Sequence, residues 1–236
     1  MLARILGLSA AGAIILVAVG GCALIPNSGP QVTREQRVGT ASAVMLRTSG
    51  DLVVTRGESA SLTTTAGERV FDSLTFEVVD GVLVLGSDRP IVPGPGRILY
   101  ELTLPALESV SIEGSGDVEA DFSGVGDVEI DVRGSGDVTG TELEADGVTV
   151  SVAGSGDVRL TGETDEQTVT IRGSGDYLAR RLTSDTATIS IAGSGDAEVH
   201  ANDTLDVSIA GSGSVRYTGG ARVNSDVSGS GDVSEF

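Results

Sequence analysis

Seven short runs of the chain place residues that could do chemistry at a regular spacing. They are Gly114-Ser-Gly-Asp117, Gly134-Ser-Gly-Asp137, Gly154-Ser-Gly-Asp157, Gly173-Ser-Gly-Asp176, Gly193-Ser-Gly-Asp196, Gly211-Ser-Gly-Ser214 and Gly229-Ser-Gly-Asp232. Their starts lie 20, 20, 19, 20, 18 and 18 residues apart. A shorter echo, Gly124-Val-Gly-Asp127, sits half a period after the first. A carboxylate repeated in this way can accept backbone N–H bonds and cap a turn. It can also join its neighbours in holding a hard divalent cation.

The two roles differ in how they relieve repulsion. Stacked carboxylates would lie about 4.8 Å apart. Two unit charges at that distance repel by about 3.5 kcal/mol at an effective dielectric of 20, and by about 0.9 kcal/mol in bulk water. Asp117, Asp137, Asp157, Asp176, Asp196 and Asp232 are therefore expected to be capped by backbone N–H groups. Calcium bridging adjacent coils is the alternative, and no cofactor is required. Ser214 would interrupt a row of ions, and the period of the repeat does not match the nine-residue calcium repeats.

Other chemistry finds little support. His200 is the sole histidine and Cys22 the sole cysteine. A multi-histidine metal site and an intrachain disulfide are thus excluded. The Gly-Ser-Gly runs lead into strand-like segments, whereas phosphate-binding loops open helices. Paired carboxylates can cleave glycosides, but a catalytic site breaks a repeat locally, and these aspartates recur at one repeat position. No enzyme is expected, and a carboxylate-based polysaccharide enzyme is the weakest reading. Tyr100, Tyr177 and Tyr217 are expected at the surface or the edge of the core.

The elements that would carry the aspartates alternate with period two. Val148-Thr-Val-Ser-Val152, Val169-Thr-Ile171, Ile189-Ser-Ile191 and Val207-Ser-Ile209 each lead into a glycine run, which is the pattern of strands with one buried face. Each repeat reads as strand, corner, strand, with glycine supplying the positive φ of a sharp corner. Coils of constant length stack, so residues 111–236 are predicted to form an all-β, single-stranded parallel β-helix with coils of about 20 residues. About ten coils would make a rod roughly 50 Å long at the interstrand spacing. Trp is absent and aromatics make up only 3% of the chain, so the core must come from small β-branched residues. Residues 41–110 read as strands near 44–46, 52–54, 74–78, 82–85 and 98–104. They are either first coils or a cap, with a tight turn at Asp80-Gly81 and a loop across Pro90–Gly96.

The N-terminus reads as an address. Arg4, an apolar run from Ile5 to Val19 and Gly20-Gly21 before Cys22 make a secretory signal, too short for a spanning helix. Val19-Gly-Gly-Cys22 resembles the bacterial lipobox, which implies cleavage after residue 21 and acylation of Cys22. Residues 22–40 then form an acylated tether.

Together, the early strands with Asp80-Gly-Val-Leu-Val-Leu85, the segment Leu102-Thr-Leu-Pro-Ala-Leu107 leading into Val110-Ser-Ile112, and the Gly-Ser-Gly-Asp series resemble the family of the putative auto-transporter adhesin, head GIN domain. The resemblance spans roughly residues 35–236. It implies a parallel β-helical domain exported to the bacterial surface and brings no established activity or catalytic residues. In place of a translocator barrel, a lipid anchor is expected.

Net charge is −19; without residues 1–21, which hold Arg4 and no acid, it is −20 (34 acids against 14 Arg). Such a surface repels nucleic acid. The expected partners are the membrane through the lipid anchor, and an envelope glycan or surface protein through the flat faces of the solenoid. The expected place is the bacterial cell envelope, outside the cytoplasmic membrane.

Overall fold

The computed structural model describes residues 29–91 and 97–236. Cys22, the signal segment, the start of the tether and most of the Pro90–Gly96 loop lie outside the described residues. The elements run β1 (Gln31–Gln36), β2 (Ala43–Leu46), β3 (Asp51–Arg56), β4 (Ser61–Gly67), α1 (Glu68–Phe71), β5 (Leu74–Val79), β6 (Val82–Ser87) and β7 (Leu99–Leu104). The repeats supply β8 (Ser109–Ile112), β9 (Val118–Ser123), β10 (Asp127–Val132), β11 (Val138–Val152), β12 (Val158–Ile171), β13 (Tyr177–Gly193), β14 (Ala197–Gly211), β15 (Ser214–Thr218), β16 (Arg222–Gly229) and β17 (Asp232–Glu235). From β8 onward every pairing between successive coils is parallel. The fold is a β-solenoid of about 6 turns with coils of about 20 residues.

That is fewer coils than the sequence suggested, because residues 41–108 do not wind on in order. β2 is inserted between β6 and β8, and β3 between β7 and β9, all in parallel. A segment early in the chain thus forms the second layer, and a later one, β6 with β7, forms the first. Beyond that first layer the pairing turns antiparallel: β5 covers β6 on one side, while β4 and then β1 cover β7 on the other. Antiparallel strands end a parallel stack by occupying the edge that would otherwise recruit another chain. The 41–110 region is therefore both first coils and cap. The end of the segment read as tether is also different, since residues 31–36 belong to the cap.

Asp80 (φ 51) and Gly81 (φ 82) make the predicted tight turn between β5 and β6, with Val79 opposite Val82. One short helix, α1, departs from the all-strand expectation; Pro30 caps its start by accepting the Glu68 N–H. Among the described residues no helix is long and apolar enough to cross a membrane.

Inside, like stacks on like. One column runs Leu83, Val44, Val110, Ile130, Val150, Val169, Ile189 and Val207, and all are buried. Large and small alternate where an aromatic enters: Phe122 fits because Gly140 in the next coil has no side chain, and an added Cβ there would sit 3.0 Å from its ring. The tyrosines correct the sequence reading. Tyr100 and Tyr177 are both 0% exposed, since each hydroxyl finds an internal partner: Thr48 Oγ1 at 3.1 Å and Gln167 Oε1 at 2.8 Å. Tyr217 lies half-buried at the margin.

Burial pushes the Tyr100 phenol up to about 12, against a smaller opposing effect of its Thr48 bond. Burial raises that of Tyr177 still further. The folded state therefore keeps protons that the unfolded chain loses near pH 10. Stability should be complete below pH 10 and fall by on the order of 1 kcal/mol per pH unit per tyrosine as pH rises to 12. Urea unfolding at pH 9, 10.5 and 11.5 checks this, and unchanged midpoints would contradict it.

Candidate functional site

The Gly-Ser-Gly-Asp corners stack, and their chemistry is an inter-coil relay. The N–H of Asp137 donates to Asp117 Oδ1 (3.0 Å), that of Asp157 to Asp137 Oδ1 (2.8 Å), that of Asp176 to Asp157 Oδ1 (3.0 Å), and that of Asp196 to Asp176 Oδ1 (2.8 Å). Ser214 N–H closes the series on Asp196 Oδ1 at 2.7 Å. The substitution at Ser214 thus leaves the relay from Asp196 intact. Meanwhile, from Asp51 to Asp176, the residue after the aspartate donates to the aspartate carbonyl of the following coil, as Val118 does to Asp137 and Val138 to Asp157, both at 2.8 Å. The carboxylate therefore stands in for a ladder carbonyl where the corner interrupts the backbone ladder. A charge-assisted bond of this kind is among the stronger ones.

Capping is what the sequence led one to expect, but the capped N–H belongs to the next coil rather than to the aspartate's own turn. Asp232, in the last coil, receives no such N–H among the described residues. Arg159 adds a cation that spans two adjacent rungs of the ladder, 3.0 Å from Asp157 and 3.8 Å from Asp137. Replacing Asp157 by alanine removes the acceptor for Asp176 N–H and should cost about 1–3 kcal/mol. Asparagine, which keeps an acceptor oxygen, should cost less than half as much; thermal unfolding of the two variants measures the difference.

The glycines need a correction. Positive φ is not the common requirement, since the second glycine of every corner lacks it. The common requirement is closeness. A Cβ on Gly136 would lie 2.1 Å from the Gly116 carbonyl oxygen, one on Gly156 2.1 Å from that of Gly136, and one on Gly195 2.1 Å from that of Gly175. The first glycines behave alike, with Gly134 at 1.9 Å from Gly114 O. Each corner nests against the backbone of the one before it.

The same nesting exposes a corner that sequence reading missed. A Cβ on Gly116 would lie 1.9 Å from Gly50 O, and one on Gly114 2.4 Å from Thr48 O. Thr48-Ser49-Gly50-Asp51 is thus the corner below the series. Only its first residue departs from the motif, and that similarity was the available signal. Its aspartate pairs with Arg97.

Gly124-Val-Gly-Asp127 lies at the opposite bend of the coil. Strand register also sets Asp146, Asp165, Asp185 and Asp203 at that bend, each just before a paired position: Gly147 with Glu166, Glu166 with Thr186, Thr186 with Thr204. Their spacing of 19, 20 and 18 residues (165−146, 185−165, 203−185) was legible in the sequence, but no Gly-Ser-Gly run precedes any of them. With Glu144 and Glu163, the first three line an open acidic groove of about 570 Å³. Among the described residues no group of three or more His, Cys, Asp or Glu side chains is placed to hold a metal ion. His200 is half-buried, with Nε2 3.3 Å from Asn202 Oδ1.

Solved structures share this architecture. A putative adhesin from Bacteroides fragilis NCTC 9343 superposes with a TM-score of 0.83 at 23% identity, covering 88% of this chain and 97% of its own. A putative lipid binding protein from Parabacteroides distasonis ATCC 8503 gives 0.69 at 23% identity (89% and 98%). A putative adhesin from Parabacteroides merdae ATCC 43184 gives 0.66 at 22% (88% and 97%). At these identities the likeness concerns the fold. No curated protein matches the sequence. The family model of the putative auto-transporter adhesin, head GIN domain, matches residues 42–221, from just before β2 to just before β16, and the chain belongs to that family.

Proposed function

We propose that this protein is a lipid-anchored module on the outer side of the bacterial envelope that binds a polar surface partner through the faces of its solenoid. The observation that carries the reading is the relay of backbone and carboxylate bonds through the corners. It makes a stiff, repetitive rod whose outward side chains are free to differ from coil to coil, and solenoids use such extended faces for binding. Membership of an adhesin-like family supports the same reading. Cys22, at the end of the lipobox-like segment, would supply the anchor. A single acyl chain holds a protein only weakly and several hold it firmly.

The test is in the cells that make the protein. Labelled palmitate should enter the wild type and not Cys22→Ser, and external protease should digest the wild type on intact cells. Deleting the gene should lower attachment of cells to a glycan-coated or matrix-coated surface. Absence of label would remove the anchor, and unchanged attachment would remove the adhesive role.

Calcium is not needed for this design. In the relay from Asp117 to Asp196, each aspartate already gives Oδ1 to an N–H of the next coil. The unfolding temperature is expected to agree within about 2 °C between EDTA and millimolar calcium, because RT ln(1 + [L]/Kd) adds nothing when no site binds. A rise of many degrees with calcium, unmatched by magnesium, would instead make the aspartates ion ligands and the protein a calcium-stabilised adhesin.

A further inference from the structure

The ladder shifts register at several points between coils, and two cations stand at the widest of these shifts. Between β12 and β13, Arg159 pairs with Leu178 but Thr161 pairs with Arg181. Between β13 and β14, Leu178 pairs with Glu198 and the next pair is Thr183 with His200. Five residues of β13 thus span what two residues of β14 span. Such a bulge re-aims side chains. Ala179 and Leu182 remain buried, while the consecutive Arg180 and Arg181 both face solvent. An unbroken strand would have turned one of them inward.

The bulge is supported from within. Gln167 Nε2 lies 3.2 Å from the carbonyls of both Leu182 and His200, at the interruption, and 2.8 Å from Ser184 Oγ. Tyr177 holds the other end of that amide. The irregularity is therefore built into the core.

Outside it lies a cleft of about 390 Å³, lined among others by Arg159, Thr161, Leu178, Arg180, Arg181 and Glu198, within the size range of small-molecule sites. Its acid is already occupied, since Glu198 pairs with Arg216, and Arg159 is paired with the aspartate ladder. Among the described residues Arg180 and Arg181 form no ion pair. Arg180 instead packs over the half-exposed Phe236 ring, 4.0 Å from its centroid. Arg180-Arg181 is the only pair of adjacent arginines in a chain of net charge −19.

We infer that this cleft binds the carboxylate of an acidic sugar residue, as found in uronic-acid polysaccharides. A guanidinium fork grips a carboxylate in two places. The Thr161 hydroxyl suits a sugar hydroxyl, and Leu178 offers an apolar margin to the ring face. The chain as a whole carries a net charge of −19, so an anionic chain is drawn most strongly to this doubly cationic spot, which sets its register on the rod. This inference rests on the binding-module reading above and names its ligand.

The test is titration calorimetry of the purified protein with a short oligogalacturonate, a neutral oligosaccharide of equal length, an acidic peptide of equal charge, and inorganic sulfate. Oligogalacturonate should bind at least tenfold more tightly than each of the others, and raising salt from 50 to 500 mM should weaken it severalfold. Arg180→Gln with Arg181→Gln should weaken it at least tenfold at an unchanged unfolding temperature, and Glu163→Gln, at the opposite bend, should not. Equal binding by the double variant, or a tighter fit of the peptide, the neutral sugar or sulfate, would overturn the inference. Sugar binding by a protein whose deletion leaves attachment unchanged would remove the adhesive role and keep the cleft. Attachment that survives the double variant, with sugar binding lost, would show that the adhesive contact lies elsewhere and overturn the cleft as its site.

Discussion

Alanine at Gly156 is expected to cost about 4 kcal/mol or more, enough to unfold a marginal domain. The added Cβ would lie 2.1 Å from Gly136 O and 3.0 Å from Val132 Cγ1. Neither neighbour can yield. The carbonyl belongs to a corner nested on both sides, and the valine is held in the core. Relief would require prising two coils apart, which breaks the bonds Ser155 N–H to Gly134 O and Asp157 N–H to Asp137 Oδ1. Two controls separate closeness from backbone freedom. At Gly81 the φ is +82° but nothing lies within 4 Å of an added Cβ, so alanine should cost about 1 kcal/mol. At Gly220 the nearest atom is 3.6 Å away, and alanine should fall within about 0.5 kcal/mol of wild type. Urea midpoints of the three variants decide the matter. Equal losses at Gly156 and Gly81 would mean that conformational freedom, not nesting, governs the corners.

Leucine at Gln167 is expected to cost about 3–4 kcal/mol. Gln167 is 0% exposed and stands in an apolar column between Val148 and Ala187. Leucine fills the volume but strips Tyr177 of its acceptor and withdraws the donor shared by the Leu182 and His200 carbonyls and Ser184 Oγ. Buried groups left unpaired cost about 1–3 kcal/mol each. Tyr177→Phe alone should cost about 1–2 kcal/mol by orphaning the Gln167 carbonyl. The double variant should cost less than the sum, since removing both partners leaves neither unpaired. Strict additivity in guanidinium unfolding would show that the Tyr177–Gln167 bond contributes nothing.

Particular residues show where sequence reasoning reached and where it stopped. Val169-Thr-Ile171 and Ile189-Ser-Ile191 were readable as inward-facing strand residues because the side-chain period of a strand is local. Asp157 and Asp176 were readable as caps because an aspartate at a glycine-rich corner can accept backbone N–H bonds, but that the N–H comes from the next coil was not. Tyr177 was misplaced because its burial depends on Gln167, which is ten residues away along the chain and is the polar exception in a column of apolar residues. Thr48–Asp51 went unnoticed as a corner because its partner, Gly114–Asp117, is reached only after the chain has built β4 to β7.

By itself, then, the sequence determined the all-β solenoid, its coil length, the stacking of valines and isoleucines, and the aspartate row. All of these follow from alternation within a strand and repetition between neighbouring coils. The tertiary structure alone decided that β2 and β3 lie above β6 and β7, that antiparallel strands close the first layer, and that β13 bulges to turn Arg180 and Arg181 outward together. Layer order depends on which edge is open when a segment docks, and a bulge depends on which carbonyls a distant side chain can satisfy. Neither leaves a periodic trace in the order of residues.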